Sequence, residues 1–308
     1  MDIDMDVSDF TFKGDQKIVY TNNSPDTINK VYYHLFFNAF KPGSQMDVRS
    51  RTIQDPDRRV GDRIFGLKEK DFGDLSVKTL KQDGKEVEFK ELETVLLVKL
   101  NTVLLPGEKT ELKMSFTGQV PLQIRRSGKL NKEGVDLTMT QWYPKLAEYD
   151  FEGWHPNPYI GREFHGVWGD YTVNITIDKN YVLGGTGYLQ NAEEIGHGYS
   201  KKPVSLNKNS LTWKFYAPKV HDFAWAADPE YIHDKVTSDS GVDLHFFYKP
   251  SVNVDNWKKL QNDTLGLLKY FEENIGPYPW NQYSVIQGGD GGMGCGAGSS
   301  GARARGEA

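Results

Sequence analysis

Residues 75–89 read LSVKTLKQDGKEVEF. An alternating run, Leu75-Ser76-Val77-Lys78-Thr79-Leu80, leads to Asp83-Gly84 and then to Val87-Glu88-Phe89. Asp-Gly between two alternating runs predicts a β-hairpin, because a type I′ turn needs positive φ at both central residues. The pattern extends outward. Pro106-Gly107 precedes Leu112, Met114 and Phe116, which share one face of a strand. Upstream, Phe10, Phe12, Ile18 and Tyr20 alternate with polar residues on either side of Gly14-Asp15, and the aromatic run 31–40 predicts a central strand buried on both faces. Downstream, 171–177, 211–216 and 244–248 continue the series. From residue 9 to about 235 the chain reads as mainly β.

The first helix is predicted late, over 256–274. Trp257, Leu260, Leu267, Leu268, Phe271 and Ile275 keep to one face at helical spacing. Asp255 is the expected N-cap, and Gly276-Pro277 the stop. Tyr278-Pro279-Trp280 then leads into a strand over 282–287. The change from β alone to β plus helix, near 236–250, is the expected domain boundary.

Composition excludes several classes. A net charge of −5 gives no reason to expect nucleic acid or an anionic membrane as partner. No apolar run approaches the ~20 residues of a membrane helix. Cys295 is the only cysteine, so no disulfide or thiolate metal site can form within the chain. The N-terminus lacks the basic and apolar regions of a signal peptide. Because 9–13 already alternate like a strand, an upstream leader is expected to be missing.

Three stretches invite a chemical reading. Residues 289–294, GDGGMG, spell G-x-G-x-x-G, but no helix follows to meet a pyrophosphate and no acidic residue lies about 20 positions on, so a nucleotide turn is not expected. The Arg-rich stretch 51–63 interleaves Arg51, Arg58, Arg59 and Arg63 with Asp55, Asp57 and Asp62, which predicts a salt-bridged loop and not a phosphate site. Residues 141–171 crowd Trp142, Tyr143, Trp154, Tyr159, Phe164 and Trp168 around His155 and His165. A metal reading would take both histidines with Glu152 or Glu163. The spacing matches no compact zinc pattern, and the favoured reading is an aromatic core or groove wall, which if exposed would suit a sugar.

Several stretches together resemble one family: TNNSPDTINKVYYHLFFNAF, MDVRSRTIQDPDRRVGDRI, QIRRSGKLNKEGV, QWYPKLAEYD, GWHPNPYIGREFHGVWGDY, GTGYLQNAEEIGHG, KVHDFAWAADPEY and PYPWNQYSVIQGGDGGM. In this order and spacing they resemble bacterial zinc aminopeptidases of the gluzincin class, relatives of aminopeptidase N and leukotriene hydrolase, over residues 1–293. The resemblance implies an N-terminal β-saddle domain over 1–235, then the start of a thermolysin-like α/β catalytic domain over 236–293. It implies a peptide substrate with a free N-terminus, zinc as cofactor of the full-length family, and a periplasmic or secreted location.

The family's exopeptidase motif is Gly-x-Met-Glu. Gly291, Gly292 and Met293 resemble its start, where extended backbone pairs with the substrate. The glutamate that grips the substrate's α-ammonium is replaced by Gly294. Gln141 resembles the saddle residue that helps hold the same amino group through its amide oxygen. The zinc motif H-E-x-x-H, whose glutamate activates water, occurs nowhere in the sequence, so no residue of this chain is expected to be catalytic or to bind metal.

From Gly294 onward composition changes. The 15 residues 294–308 hold five Gly and four Ala but no Ile, Leu, Val or aromatic, so a disordered, non-native tail is expected, joined at Met293 by a frame shift or sequence junction. The chain then reads as a truncated, inactive aminopeptidase fragment. The alternative is a non-enzymatic β-rich module binding peptide or carbohydrate through 141–168.

Overall fold

The computed structural model describes residues 1–53, 59–161, 166–200, 209–250 and 254–288, and the backbone of 299–300. The body is mainly β. Its largest sheet has eight strands in the spatial order Tyr188–Leu189, Ser210–Val220, Gly169–Asp178, Asp2–Asp6, Thr11–Thr21, Lys109–Gln119, Asp74–Gln82 and Lys85–Glu86. Asp2–Asp6 runs parallel to Gly169–Asp178 and antiparallel to Thr11–Thr21. Two four-stranded sheets cover it. One contains Gly128–Lys129, Leu137–Met139, Val182–Gly185 and Trp225–Asp228; the other contains Ile28–His34, Phe89–Leu92, Val95–Leu104 and Lys145–Leu146.

The predicted alternation becomes the core. Leu112, Met114 and Phe116 are buried on one face, and they join Phe12, Phe37, Trp142, Trp213 and Trp225 in one cluster. The Thr11–Thr21 strand passes straight through Gly14-Asp15. Glycine is required there: a Cβ on Gly14 would lie 2.3 Å from Phe116 Cζ, and one on Gly118 2.2 Å from Phe12 Cζ. Each ring lies over the backbone of the neighbouring strand where a side chain is missing.

The hairpin turn forms as expected, with φ of 48° at Asp83 and 82° at Gly84. Its second arm is shorter than the sequence predicts. Lys85–Glu86 pairs back opposite Lys81 and Gln82, and one further bond, Val87 N–H to Leu80 O, closes the arm. Val87, buried, makes the corner, and Phe89–Leu92 pairs with Val95–Leu104 in another sheet. The 31–40 run is also not one strand. Ile28–His34 is a strand, and Phe36–Ala39 is a 3₁₀ turn with every residue buried. A run that is apolar throughout carries no period to tell strand from turn.

The helix Gln45–Thr52 precedes the predicted one. Ser44 caps it by accepting from Asp47 N–H, and Arg51 pairs with Asp47 at 2.9 Å. Only Met46 and Asp47 are buried, so it has no apolar stripe to read. Within the Arg-rich stretch, Arg63 donates to the carbonyls of Gln123 and Ile124. Residues 54–58 lie outside the described residues.

The chain then enters a fourth sheet, Ile232–Thr237, Asp243–Tyr248 and Gln282–Ile286, crossed by the helix Val254–Asn274. Asp243–Tyr248 and Gln282–Ile286 are parallel, as a helical crossover demands. Trp257 stacks on Tyr248 at 4.9 Å and seats the helix. Asp255 lies inside the first turn and is not the cap, because the helix begins two residues earlier than predicted. At the other end Gly276 has φ 150°, and Ile275 N–H donates to Phe271. Within the tail expected to be disordered, the backbone of Ser299–Ser300 pairs parallel with Ser284 and Val285.

Candidate functional site

Gln141 stands two residues past the strand Leu137–Met139, which is held between Trp225–Asp228 and Gly128–Lys129. Its φ of 56° turns the chain sharply out of the strand. Trp142 anchors that turn. It is wholly buried, its Nε1 donates to Phe223 O at 3.0 Å, and its ring meets Phe12, Tyr143 and Trp225 edge-on. Left-handed backbone at a non-glycine residue is held only where its surroundings fix it, and here the tryptophan does so.

The Gln141 side chain is 4% exposed. Its Oε1 accepts from Tyr159 hydroxyl at 3.2 Å, and Arg125 Nη1 donates to the same hydroxyl at 3.1 Å. Tyr159 is fixed in turn by its backbone N–H on Thr94 Oγ1 and by edge contacts with Phe36 and Phe40. Gln141 Nε2 has no partner among the described residues. Rotating the carboxamide by 180° exchanges its two ends. Tyr159 then accepts from both Nε2 and Arg125, and Oε1 opens instead. The site therefore offers one end of a buried amide, either donor or acceptor, held by a tyrosine–arginine relay.

The segment that leads to Gly291, Gly292 and Met293 approaches this strand. Gln287, which ends the Gln282–Ile286 strand, is tied down on three sides. Its N–H donates to Phe247 O, its Oε1 accepts from Lys249 N–H, and its carbonyl accepts from Tyr231 hydroxyl at 2.7 Å. Gly288 then lies against Thr138, where an added Cβ would sit 3.6 Å from the methyl. Thr138 is three residues before Gln141. Gly291, Gly292 and Met293 themselves lie outside the described residues.

Beneath this junction Lys249 is paired with Asp228 at 2.9 and 3.1 Å and with Glu230 at 2.7 Å. Burial pulls the Lys249 pKa down, but the bonds to Glu230 and Asp228 outweigh it and hold the ammonium above its ordinary value. Asp228 Oδ2 also accepts from Asp136 N–H, so one buried carboxylate links the second sheet to the fourth. Sequence reasoning missed Asp228, Lys249 and Arg125, since each acts through a partner remote in the chain. From the sequence, Tyr159 reads only as one of the aromatics.

The metal reading of 141–171 gains no support. His155 Nε2 meets Asp150 at 2.8 Å, and among the described residues no group of three or more His, Cys, Asp or Glu could hold a metal ion. His165 and Glu163 lie outside the described residues. The described residues therefore do not fit a zinc site. The described aromatics divide between core and surface. Trp142, Tyr143 and Tyr159 are buried, Trp154 packs among Tyr20, Tyr32 and Tyr149, and Trp168 is 62% exposed.

No protein-family model matches the sequence. No curated protein matches it either. Solved structures do. A point mutant of the M1 zinc metallopeptidase from Deinococcus radiodurans superposes with a TM-score of 0.52 at 13% identity. The same mutant bound to a Tyr-Ser-Ala substrate gives 0.53 at 13%, and the metallopeptidase without the mutation 0.50 at 12%. Each alignment covers 92% of this chain and 55% of the other, so this chain spans about half the length of those enzymes. The chain has the M1 metallopeptidase fold over that half, its mainly β body matching their N-terminal domain.

Proposed function

We propose that this chain is the N-terminal, substrate-gripping part of a zinc-dependent aminopeptidase of the gluzincin class. The layout proposed is a β-saddle domain over 1–235, the opening of the catalytic domain over 236–293, and a non-native tail over 294–308. Gln141 would take the α-ammonium of a peptide, and Gly291, Gly292 and Met293 would pair with its backbone. One observation carries this reading: one end of the buried, braced carboxamide of Gln141 has no partner among the described residues, and Gly288 lies against Thr138, three residues earlier in the chain than Gln141. The neighbour crystallised with Tyr-Ser-Ala supports a peptide as substrate class.

Hydrolysis is assigned elsewhere. The 308 residues contain no H-E-x-x-H, so we propose that this chain by itself binds and does not cleave. A periplasmic or secreted location is part of the same proposal.

The test compares L-tyrosine amide with N-acetyl-L-tyrosine amide, each titrated into the full chain and followed by NMR. A hydrogen bond to a charged group is worth ~1.5–3 kcal/mol, so the free amine should bind at least about tenfold more tightly. Gln141→Ala should abolish the difference. Equal affinity for the two ligands would overturn the assignment of Gln141.

A further inference from the structure

Gln287 stands where the chain leaves the fourth sheet, four residues before Gly291. It is 3% exposed, and each of its four polar groups is committed. Its N–H donates to Phe247 O at 2.8 Å, and its carbonyl accepts from Tyr231 hydroxyl at 2.7 Å. Its Oε1 accepts from Lys249 N–H at 2.7 Å, and its Nε2 lies 3.5 Å from Glu133 Oε2. A carboxamide turned by 180° would set nitrogen against N–H and oxygen against carboxylate, so its orientation is fixed. The carboxamide of Gln141 has no such second partner among the described residues.

The groups that hold Gln287 are themselves held by Asp228, which is fully buried. Lys249 Nζ donates to both oxygens of that carboxylate, at 2.9 and 3.1 Å. Tyr231 N–H donates to Asp228 O at 3.4 Å, closing a turn in which Glu230 N–H meets Asp228 Oδ1. Asp228 Oδ2 accepts from Asp136 N–H, one residue before the strand Leu137–Met139. That strand pairs with Trp225–Asp228, Leu137 opposite Ala227, and Gln141 follows its far end. One carboxylate therefore ties the exit from the fourth sheet to the strand that leads to Gln141. Satisfying buried polar groups does not require this arrangement, because an apolar residue at 287 needs no side-chain partner. A buried ion pair adds little net stability over apolar residues of the same shape, and its best-attested use is to specify one geometry.

We infer that Gln287 is a positioning residue for peptide binding: through Lys249, Tyr231 and Asp228 it sets the spacing between Gln141 and the segment of Gly291, Gly292 and Met293. It acts through that segment and not by contact with the peptide. The close approach of Gly288 to Thr138, where an added Cβ would sit 3.6 Å from the methyl, is the visible result of that setting. A peptide whose backbone pairs with the segment brings its α-ammonium to Gln141 only when the spacing is right. This role rests on the reading of Gln141 and of the segment given under the proposed function.

The probes are the peptides Tyr-Ser-Ala and N-acetyl-Tyr-Ser-Ala, each titrated into the full chain and followed by NMR. The wild-type chain should prefer the free amine at least about tenfold. Gln287→Leu keeps both backbone bonds and removes the carboxamide. It should cut that preference at least about fivefold, while the acetylated peptide binds within about twofold of its wild-type affinity. Tyr231→Phe, which removes one hydroxyl from a side chain of the same shape, should act in the same direction. In the Gln141→Ala background, Gln287→Leu should change the preference no further, because the two residues act on one contact. A residue that only stabilises the fold would leave the preference intact in every variant that stays folded. The ligand-free chain gives a second readout: the NOE between Gly288 Hα and the Thr138 methyl should be lost in Gln287→Leu. Equal affinity of the wild-type chain for the two peptides overturns the reading of Gln141 and this role with it. A wild-type preference that survives Gln287→Leu and Tyr231→Phe, or an unchanged NOE, overturns this role alone.

Discussion

The β body and the helical unit after it bury apolar residues to different extents. In the body, Trp142, Trp213 and Phe215 are fully enclosed, and the large side chains of three sheets form one contiguous cluster. On the helix Val254–Asn274 only Trp257 and Leu268 are buried. Leu267 is 53% exposed, Tyr270 60% and Ile275 78%. Both regions have the periodicity their secondary structure requires. The body closes on itself, whereas the helix packs one edge of its apolar stripe on the Asp243–Tyr248 strand and turns the rest to solvent. Periodicity establishes that an element forms, and only packing establishes how much of its apolar face is used.

The largest contrast should come from truncating one tryptophan in the body and one leucine on the helix. Trp142→Ala removes a fully enclosed indole and its bond to Phe223, and should cost ~3–5 kcal/mol in urea unfolding. Leu267→Ala should change stability by no more than ~0.5 kcal/mol. Equal effects would mean that the exposed helix face is covered in solution.

Next in size is the link between the two regions. Lys249→Met leaves Asp228 buried without its cation and should cost roughly 3 kcal/mol, because breaking one side of a buried pair strands the other charge. A double variant with Asp228→Asn should recover part of that loss. If Lys249→Met alone is neutral, the pair does not couple the sheets.

Acid should act on the second region first. His233 and His245 are joined Nε2 to Nδ1 at 2.8 Å and packed against Phe247 and Tyr199. His233 Nδ1 donates to His197 O, so its Nε2 accepts from His245. Burial holds His233 down to about 4, and burial with the neighbouring imidazole holds His245 down to about 3, with Lys235 opposing protonation and Asp234 and Asp243 favouring it. Because both folded values lie below the ordinary histidine value, the unfolded chain binds protons first as pH falls. The stability contribution is complete above about pH 6.5 and is lost on descent toward 4 and 3, at up to ~1.4 kcal/mol per pH unit per group. His245→Phe should flatten that descent; an unchanged slope would show that other groups set it.

The smallest expected effect is on the helix surface. Ile275→Lys should leave unfolding within ~0.5 kcal/mol of the parent while reducing binding of an apolar dye, since it interrupts an exposed patch and no packing.

Much of the fold was legible because it is local. Asp83-Gly84 announces its turn, Leu112, Met114 and Phe116 announce a face, and the spacing of Trp257 and Leu268 announces a helix. What was not legible depends on remote partners or lacks a period. The 3₁₀ turn at Phe36–Ala39 lies in an all-apolar run, and the helix Gln45–Thr52 has no apolar stripe, though Ser44 followed by Asp47 is a capping signal. The parallel pairing of Asp2 with Asn174 joins residues far apart in the chain and follows only from the order of strands in the sheet. At the candidate site, Gln141 was singled out by resemblance and not by its own chemistry. Its relay through Tyr159 and Arg125 spans residues that only the fold brings together.

We propose that this chain grips a peptide's amino terminus and holds no zinc of its own. The most direct measurement equilibrates the purified 308-residue chain with zinc, removes excess metal, and determines zinc per chain together with turnover of an aminoacyl chromogenic substrate. Far less than one zinc per chain and no turnover are expected. One tightly held zinc per chain with catalytic turnover would contradict the proposal.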